Sequence, residues 1–219
     1  MSMNISFNAG NLSYTGINTN SAQYKAAKKM VEAGEALDGG FKTKEQQLID
    51  EIFGGKEARI RNWMRYFDSD GDYINPVNGL AGLDATGKNP SEYQKMISIP
   101  ESSKDEMFEQ TKEEFLRENG ILNGDTTKRS DVYTNMYKKV QKNDRLAAGY
   151  TMQQYERAYR QAFLDAARKA DPKWEIGKPV PSGALDGITR ESVESQLVKS
   201  GNTLVKRSSV SGSTLDIQV

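Results

Sequence analysis

Residues 68–72 read Asp-Ser-Asp-Gly-Asp and follow directly on an aromatic-rich run, WMRYF. Three carboxylates on alternate residues can serve one of three ends. Side chains at alternate positions of a tightly curled loop can converge on one point and hold a hard cation. An aspartate can act as a phosphoryl-accepting nucleophile. Asp side chains can also satisfy neighbouring backbone N–H groups, and the stretch is then simply a turn.

The residues missing from the chain narrow the choice. It contains no cysteine and no histidine. Disulfides, thiolate metal sites and cysteine nucleophiles are excluded, as are the usual general base and the usual transition-metal ligand. Any catalysis would have to run on carboxylates, Lys, Tyr, Ser or Thr, which argues against an enzyme. The 30 basic and 30 acidic residues cancel, so bulk charge gives no reason to expect nucleic acid or an anionic membrane surface as partner. No apolar run approaches the ~18 residues of a membrane span. The Asn- and Ser-rich N-terminal stretch lacks the basic and apolar regions of a secretory signal peptide. The expected location is therefore the cytoplasm, or outside the cell by a route that needs no classical signal peptide. A chain of 219 residues is long enough for one large domain or two small ones with a real core.

Helical periodicity dominates the elements that must position these aspartates. From Ser21 onward Tyr24, Ala27, Met30 and Val31 share one face. Leu48, Ile49, Ile52 and Phe53 form a second such face, and Ile60, Trp63, Met64 and Phe67 a third, with glycine pairs at 39–40 and 54–55 between them. A loop rich in Asn, Gly and Pro then runs to about Pro90. Ser102 or Ser103 is expected to cap a helix carrying Met107, Phe108, Phe115 and Leu116. Val132, Met136, Tyr137 and Val140 mark another. Thr151 and Gln154 read as a capping box that opens a helix with Tyr155, Tyr159, Phe163 and Ala166 on one stripe, stopped by Asp171-Pro172. Thr189 is expected to cap a last helix that reaches Gly201, and TLDIQV at 214–219 could add an edge strand. Tyr133, Tyr137, Tyr155, Tyr159 and Phe163 read as core rather than as a stacking surface. Glu113 and Glu114 point about 100° apart and share no site. The Lys/Glu mixture over 104–118 reads as a solvated helix face.

The stretch around the aspartates resembles the EF-hand calcium-binding family. Ile60, Trp63, Met64 and Phe67 stand where an EF-hand's entering helix places its apolar residues. Asp68, Asp70 and Asp72 occupy loop positions one, three and five, with Gly71 at four. Tyr73 then stands where the turn glycine belongs, and Ile74 comes one place early. Removing that glycine restores the register, with Tyr73 at seven, Asn75 at nine and Asn78 in place of the bidentate Glu. The resemblance thus implies a calcium site formed by Asp68, Asp70, Asp72, Tyr73, Asn75 and Asn78, with Asp84 as a later acid able to swing in. Upstream, DGGFKTKE at 38–45 looks like the second half of a loop over Gly34–Glu45. Asp38 matches position five, Gly39 six, Phe41 eight and Glu45 twelve. Gly34 and Ala36 supply no side-chain oxygen, so this hand is expected to have lost calcium and kept its shape. Phe41 and Ile74 would face each other across the link that joins paired loops. D-x-D-G also opens the nucleophile motif of haloacid-dehalogenase-type phosphatases, where the first Asp ends a buried strand. Here Arg59, Arg61 and Arg65 leave an apolar helical stripe instead, and Asp72 stands where Thr or Val is usual.

The expectation is a mainly α protein, with an EF-hand-like helix–loop–helix pair followed by a helical bundle. An irregular arm covers 1–20, the EF-hand-like region 21–99 and the bundle 100–171. An extended connector, a short helix and a loose tail follow over 172–219. The function expected is calcium-stabilised or calcium-responsive binding of another macromolecule, a protein of unknown identity, without catalysis. The alternative is a metal-independent structural or exported bacterial interaction protein. A carboxylate-based hydrolase is the least favoured.

Overall fold

The computed structural model describes residues 17–37, 44–52, 54–122 and 124–207. They are mainly α-helical, as the periodicity predicts. The chain divides into two units, one ending at Ile74 and the other beginning at Asn75. The sequence signals instead bound four segments, ending at 20, 99, 171 and 219.

The first unit holds α1 (Ala22–Leu37), α2 (Lys44–Ile52) and α3 (Gly55–Met64). Tyr24, Ala27 and Val31 of α1 are buried against Ile60 of α3 and against Phe67. Trp63, Met64, Tyr66 and Tyr73 close the margin, and Ile17 packs against the same core. Polar contacts lace the two helices along their exposed sides. Lys56 lies 3.0 Å from Glu32, and Arg59 lies 2.6 Å from Glu35. Three expectations need correction. Met30 is exposed, because it lies off the stripe of α1 that meets α3. Leu48 and Ile52 of α2 are exposed as well, while Phe53 and the side chain of Ile49 lie outside the described residues. Of the expected arm, residues 1–16 also lie outside them.

The second unit is built on α5 (Glu101–Arg117), α6 (Thr127–Lys139) and the long α7 (Arg145–Ala170). The short α4 (Pro90–Tyr93) and α8 (Arg190–Glu194) and a hairpin of β1 (Leu197–Ser200) and β2 (Thr203–Lys206) complete it. An aromatic cluster fills the core. Phe108 meets Tyr159 edge-on at 5.2 Å between ring centres, and Phe115 lies 5.8 Å from Phe163 and 5.9 Å from Trp174. Gly120, at φ 79°, closes α5 where a Cβ would stand 2.9 Å from the Trp174 ring. Tyr159 and Phe163 are core, as their spacing predicts.

Local signals failed where tertiary partners took over. Thr151 caps nothing, because α7 starts six residues earlier, at Arg145. Its hydroxyl is buried within the helix and accepts from the Ile97 N–H at 3.0 Å, so a partner remote in sequence satisfies it. Pro100, not a serine, precedes α5, and Ser103 is buried inside that helix. Thr189 does cap α8, sharing a capping box with Ser192. That helix stops at Glu194, and the chain becomes a hairpin with Leu197 opposite Lys206 and Ser200 opposite Thr203. Gly201 has φ 59° at the first turn position, which suits a two-residue hairpin turn. The expected edge strand at 214–219 lies outside the described residues.

Candidate functional site

The aspartates sit where α3 runs out. The side-chain amide of Gln23 donates to the Met64 carbonyl at 2.9 Å and to the Phe67 carbonyl at 2.8 Å. It thereby satisfies the Phe67 carbonyl and adds a second donor to the Met64 carbonyl, which also accepts from the Phe67 N–H at 3.0 Å. The chain then doubles back. The Asp68 N–H donates to the Asp72 carbonyl at 3.0 Å, and the Ile74 N–H to the Tyr66 carbonyl at 2.8 Å. These bonds flank an antiparallel bridge between Phe67 and Tyr73, whose rings meet edge-on at 5.8 Å.

Inside this closure Asp68 organises the loop. Its Oδ1 accepts from the Asp70 N–H at 3.0 Å and from the Asp72 N–H at 2.9 Å, while its carbonyl accepts from the Gly71 N–H at 3.0 Å. Gly71 adopts φ 86°, and a Cβ there would lie 3.0 Å from the Ala22 carbonyl oxygen. The dihedral favours glycine, and the close Ala22 carbonyl leaves little room for a Cβ. The curl brings one carboxylate oxygen each of Asp68, Asp70 and Asp72 within 4.8 Å of one another. Asp68 and Asp72 are half-buried and Asp70 is exposed. At that separation each pair of charges repels by about 1 kcal/mol in a water-like medium. A divalent cation would reverse this repulsion. The donors are all oxygen, which suits calcium or magnesium rather than a metal that seeks nitrogen or sulfur.

The other expected ligands make contacts of their own. Tyr73 packs its ring on Phe67 and completes the bridge. Asn75 and Asn78 belong to the second unit. Their amide oxygens accept from the Val77 N–H at 2.9 Å and the Leu80 N–H at 3.1 Å, each two residues on. Asp84 does the same for the Thr86 N–H at 2.8 Å. The Thr86 hydroxyl and N–H hold its carboxyl below the ordinary range. No helix follows the loop directly, and the next is α4 at Pro90. Gly34 and Ala36, expected at loop positions one and three upstream, are helical in α1, and Glu45 is helical in α2. Asp38, Gly39 and Phe41 lie outside the described residues. Ile74 spends its N–H on Tyr66.

Two charged clusters in the second unit have no local signature in the sequence. Lys104 is buried within α5, 2.7 Å from Glu101 and 3.1 Å from Glu194. Burial works against its charge, yet the two carboxylates outweigh it and hold its pKa up. Glu194 also accepts from the Tyr159 hydroxyl and, at 3.2 Å, from Arg190. In the other cluster Arg129 of α6 pairs with Glu114 at 3.1 Å and with Glu156, which accepts from the Tyr133 hydroxyl at 2.7 Å. The 104–118 segment is therefore not a wholly solvated face, since Lys104, Thr111 and Glu114 are buried. Partners 27 and 90 residues apart left no local pattern to read.

Against this geometry stand the comparisons with known proteins. A family model described as a domain of unknown function, DUF3879, matches residues 17–219. The chain belongs to that family. No curated protein and no solved structure matches it.

Proposed function

We propose that this member of the DUF3879 family is a calcium-stabilised, EF-hand-like binding protein without catalytic activity. Asp68, Asp70 and Asp72 serve as side-chain ligands of the ion, and the partner is another macromolecule, a protein. The observation that carries this reading is the convergence of three carboxylate oxygens within 4.8 Å on a loop already held in shape by its backbone. The apolar stripe Ile60, Trp63, Met64 and Phe67 ahead of that loop supports the same reading. Bound calcium supplies charge neutralisation at the loop, and water completes a coordination shell of six to eight oxygens. Without a helix directly after the loop there is little to swing open, so the ion serves stability rather than exposure of an apolar groove.

One observation favours a metal-independent alternative. Asp68 already satisfies two backbone N–H groups by itself, as an ordinary aspartate turn does. Calcium titration by calorimetry on the full chain and on Asp68→Asn separates the two readings. Asparagine keeps the accepting oxygen and removes the charge. Calcium heat in the parent chain that disappears in the variant supports the metal site. Heat in neither chain leaves the turn alone, and equal heat in both places the ion elsewhere.

A further inference from the structure

A groove of about 820 Å³ opens along α6 and α7 in the second unit, a volume typical of ligand sites. Four half-buried tyrosines line it, Tyr93, Tyr133, Tyr137 and Tyr150. The ring of Tyr137 lies over Gly149, where a Cβ would stand 2.5 Å from its hydroxyl oxygen. A helix-interior glycine costs about 1 kcal/mol relative to alanine, and here it makes the room that Tyr137 occupies.

The hydrogen-bonding state of the lining is distinctive. Tyr133 is committed to Glu156. The hydroxyls of Tyr93, Tyr137 and Tyr150 and the carboxamides of Gln94 and Gln153 make no hydrogen bond to any described residue. Burial alone raises the pKa of Tyr137, so its hydroxyl stays protonated and able to donate at any physiological pH. The charged residues of the lining are Arg129 and Glu156, and they are paired with each other. This occurs in a chain of which 27% of residues are charged.

Those features choose among ligand classes. A nucleic acid needs free cations for its phosphates, and Arg129 is held by Glu114 as well as Glu156. A wholly apolar ligand would strip water from three hydroxyls and two carboxamides and give nothing back. A neutral ligand with alternating apolar faces and hydroxyls meets every group at once. The flat C–H face of a sugar ring packs on a tyrosine, and its hydroxyls bond to the tyrosine O–H and glutamine amide groups. We propose that the α6–α7 groove binds a neutral oligosaccharide, stacked on Tyr137 and Tyr150 and hydrogen-bonded by the Tyr137 hydroxyl and Gln153. The site lies in the second unit and does not rest on the calcium reading.

The test uses the full chain in EDTA, so that its outcome is separate from metal binding. Cellohexaose, maltohexaose and chitohexaose are titrated by calorimetry, with saturation-transfer NMR as a second readout. At least one should bind, with an affinity unchanged between about 50 and 500 mM NaCl, since no ion pair forms. Tyr137→Phe, which keeps the ring, should weaken binding about fivefold, the worth of one hydrogen bond. Tyr150→Ala should weaken it at least as much. Silence from all three sugars at millimolar concentration overturns the proposal. So does binding that falls with salt or that survives both substitutions. Tighter binding of oligo-dT or of a polyglutamate peptide than of any of the three sugars overturns it too.

Discussion

The Gln23 amide, on the first turn of α1, holds the Phe67 carbonyl at 2.8 Å. A residue 44 positions upstream thus sets the backbone immediately before Asp68. Replacing it with alanine leaves two carbonyls of Met64 and Phe67 without that donor. Gln23→Ala should cost about 1–2 kcal/mol, read as a lowered urea midpoint. It should also weaken calcium binding without touching a ligand. Unchanged calcium affinity would mean that the loop keeps its curl without α1.

Gly71 is constrained twice, by φ 86° and by the Ala22 carbonyl 3.0 Å from where its Cβ would lie. Strain at φ alone would spare asparagine, which tolerates the left-handed region. The contact with Ala22 spares neither residue. Gly71→Ala and Gly71→Asn should therefore both destabilise, by about 1–2 kcal/mol. A near-neutral Gly71→Asn would show that α1 yields at Ala22.

Glu114 gives a pH dependence of definite sign. Burial, acting against its pairing with Arg129, raises its pKa above the ordinary carboxylate value. A raised pKa in the native state stabilises the fold at low pH, and that contribution is lost as pH rises through it. Arg129 keeps Glu156 when Glu114 is neutralised. Glu114→Gln should accordingly gain stability relative to the parent chain between about pH 4 and pH 7. Urea unfolding at the two pH values measures this. The opposite trend would mean that the ion pair outweighs burial.

Calcium should raise the melting temperature modestly. With three charged ligands and no bidentate glutamate, a Kd on the order of 10⁻⁴–10⁻³ M is expected. At ten times that Kd the native state gains about 1.4 kcal/mol, or a few degrees in a protein this size. Hydrophobic-dye fluorescence should stay flat during the titration. A calcium-dependent rise in dye binding would restore a sensor mechanism.

The sequence by itself determined the mainly helical class, the stop of α7 before Pro172, the Thr189 cap and the clustering of Asp68, Asp70 and Asp72. Each rests on neighbours within a few residues, through backbone geometry, side-chain caps or helical periodicity. The hairpin at 197–206 was not legible: its strands do not alternate apolar with polar residues, and the cap at Thr189 draws the expected helix on to Gly201. Only the tertiary structure decided the rest. Thr151 became interior because Ile97 offered it a donor, and Lys104 became buried because Glu194, 90 residues on, could neutralise it. Asn75 and Asn78 close local turns through their amide oxygens. The tyrosine groove exists because α6 and α7 bring Tyr137 over Gly149. Burial and charge pairing depend on which distant side chains meet, and single-sequence spacing carries no record of that.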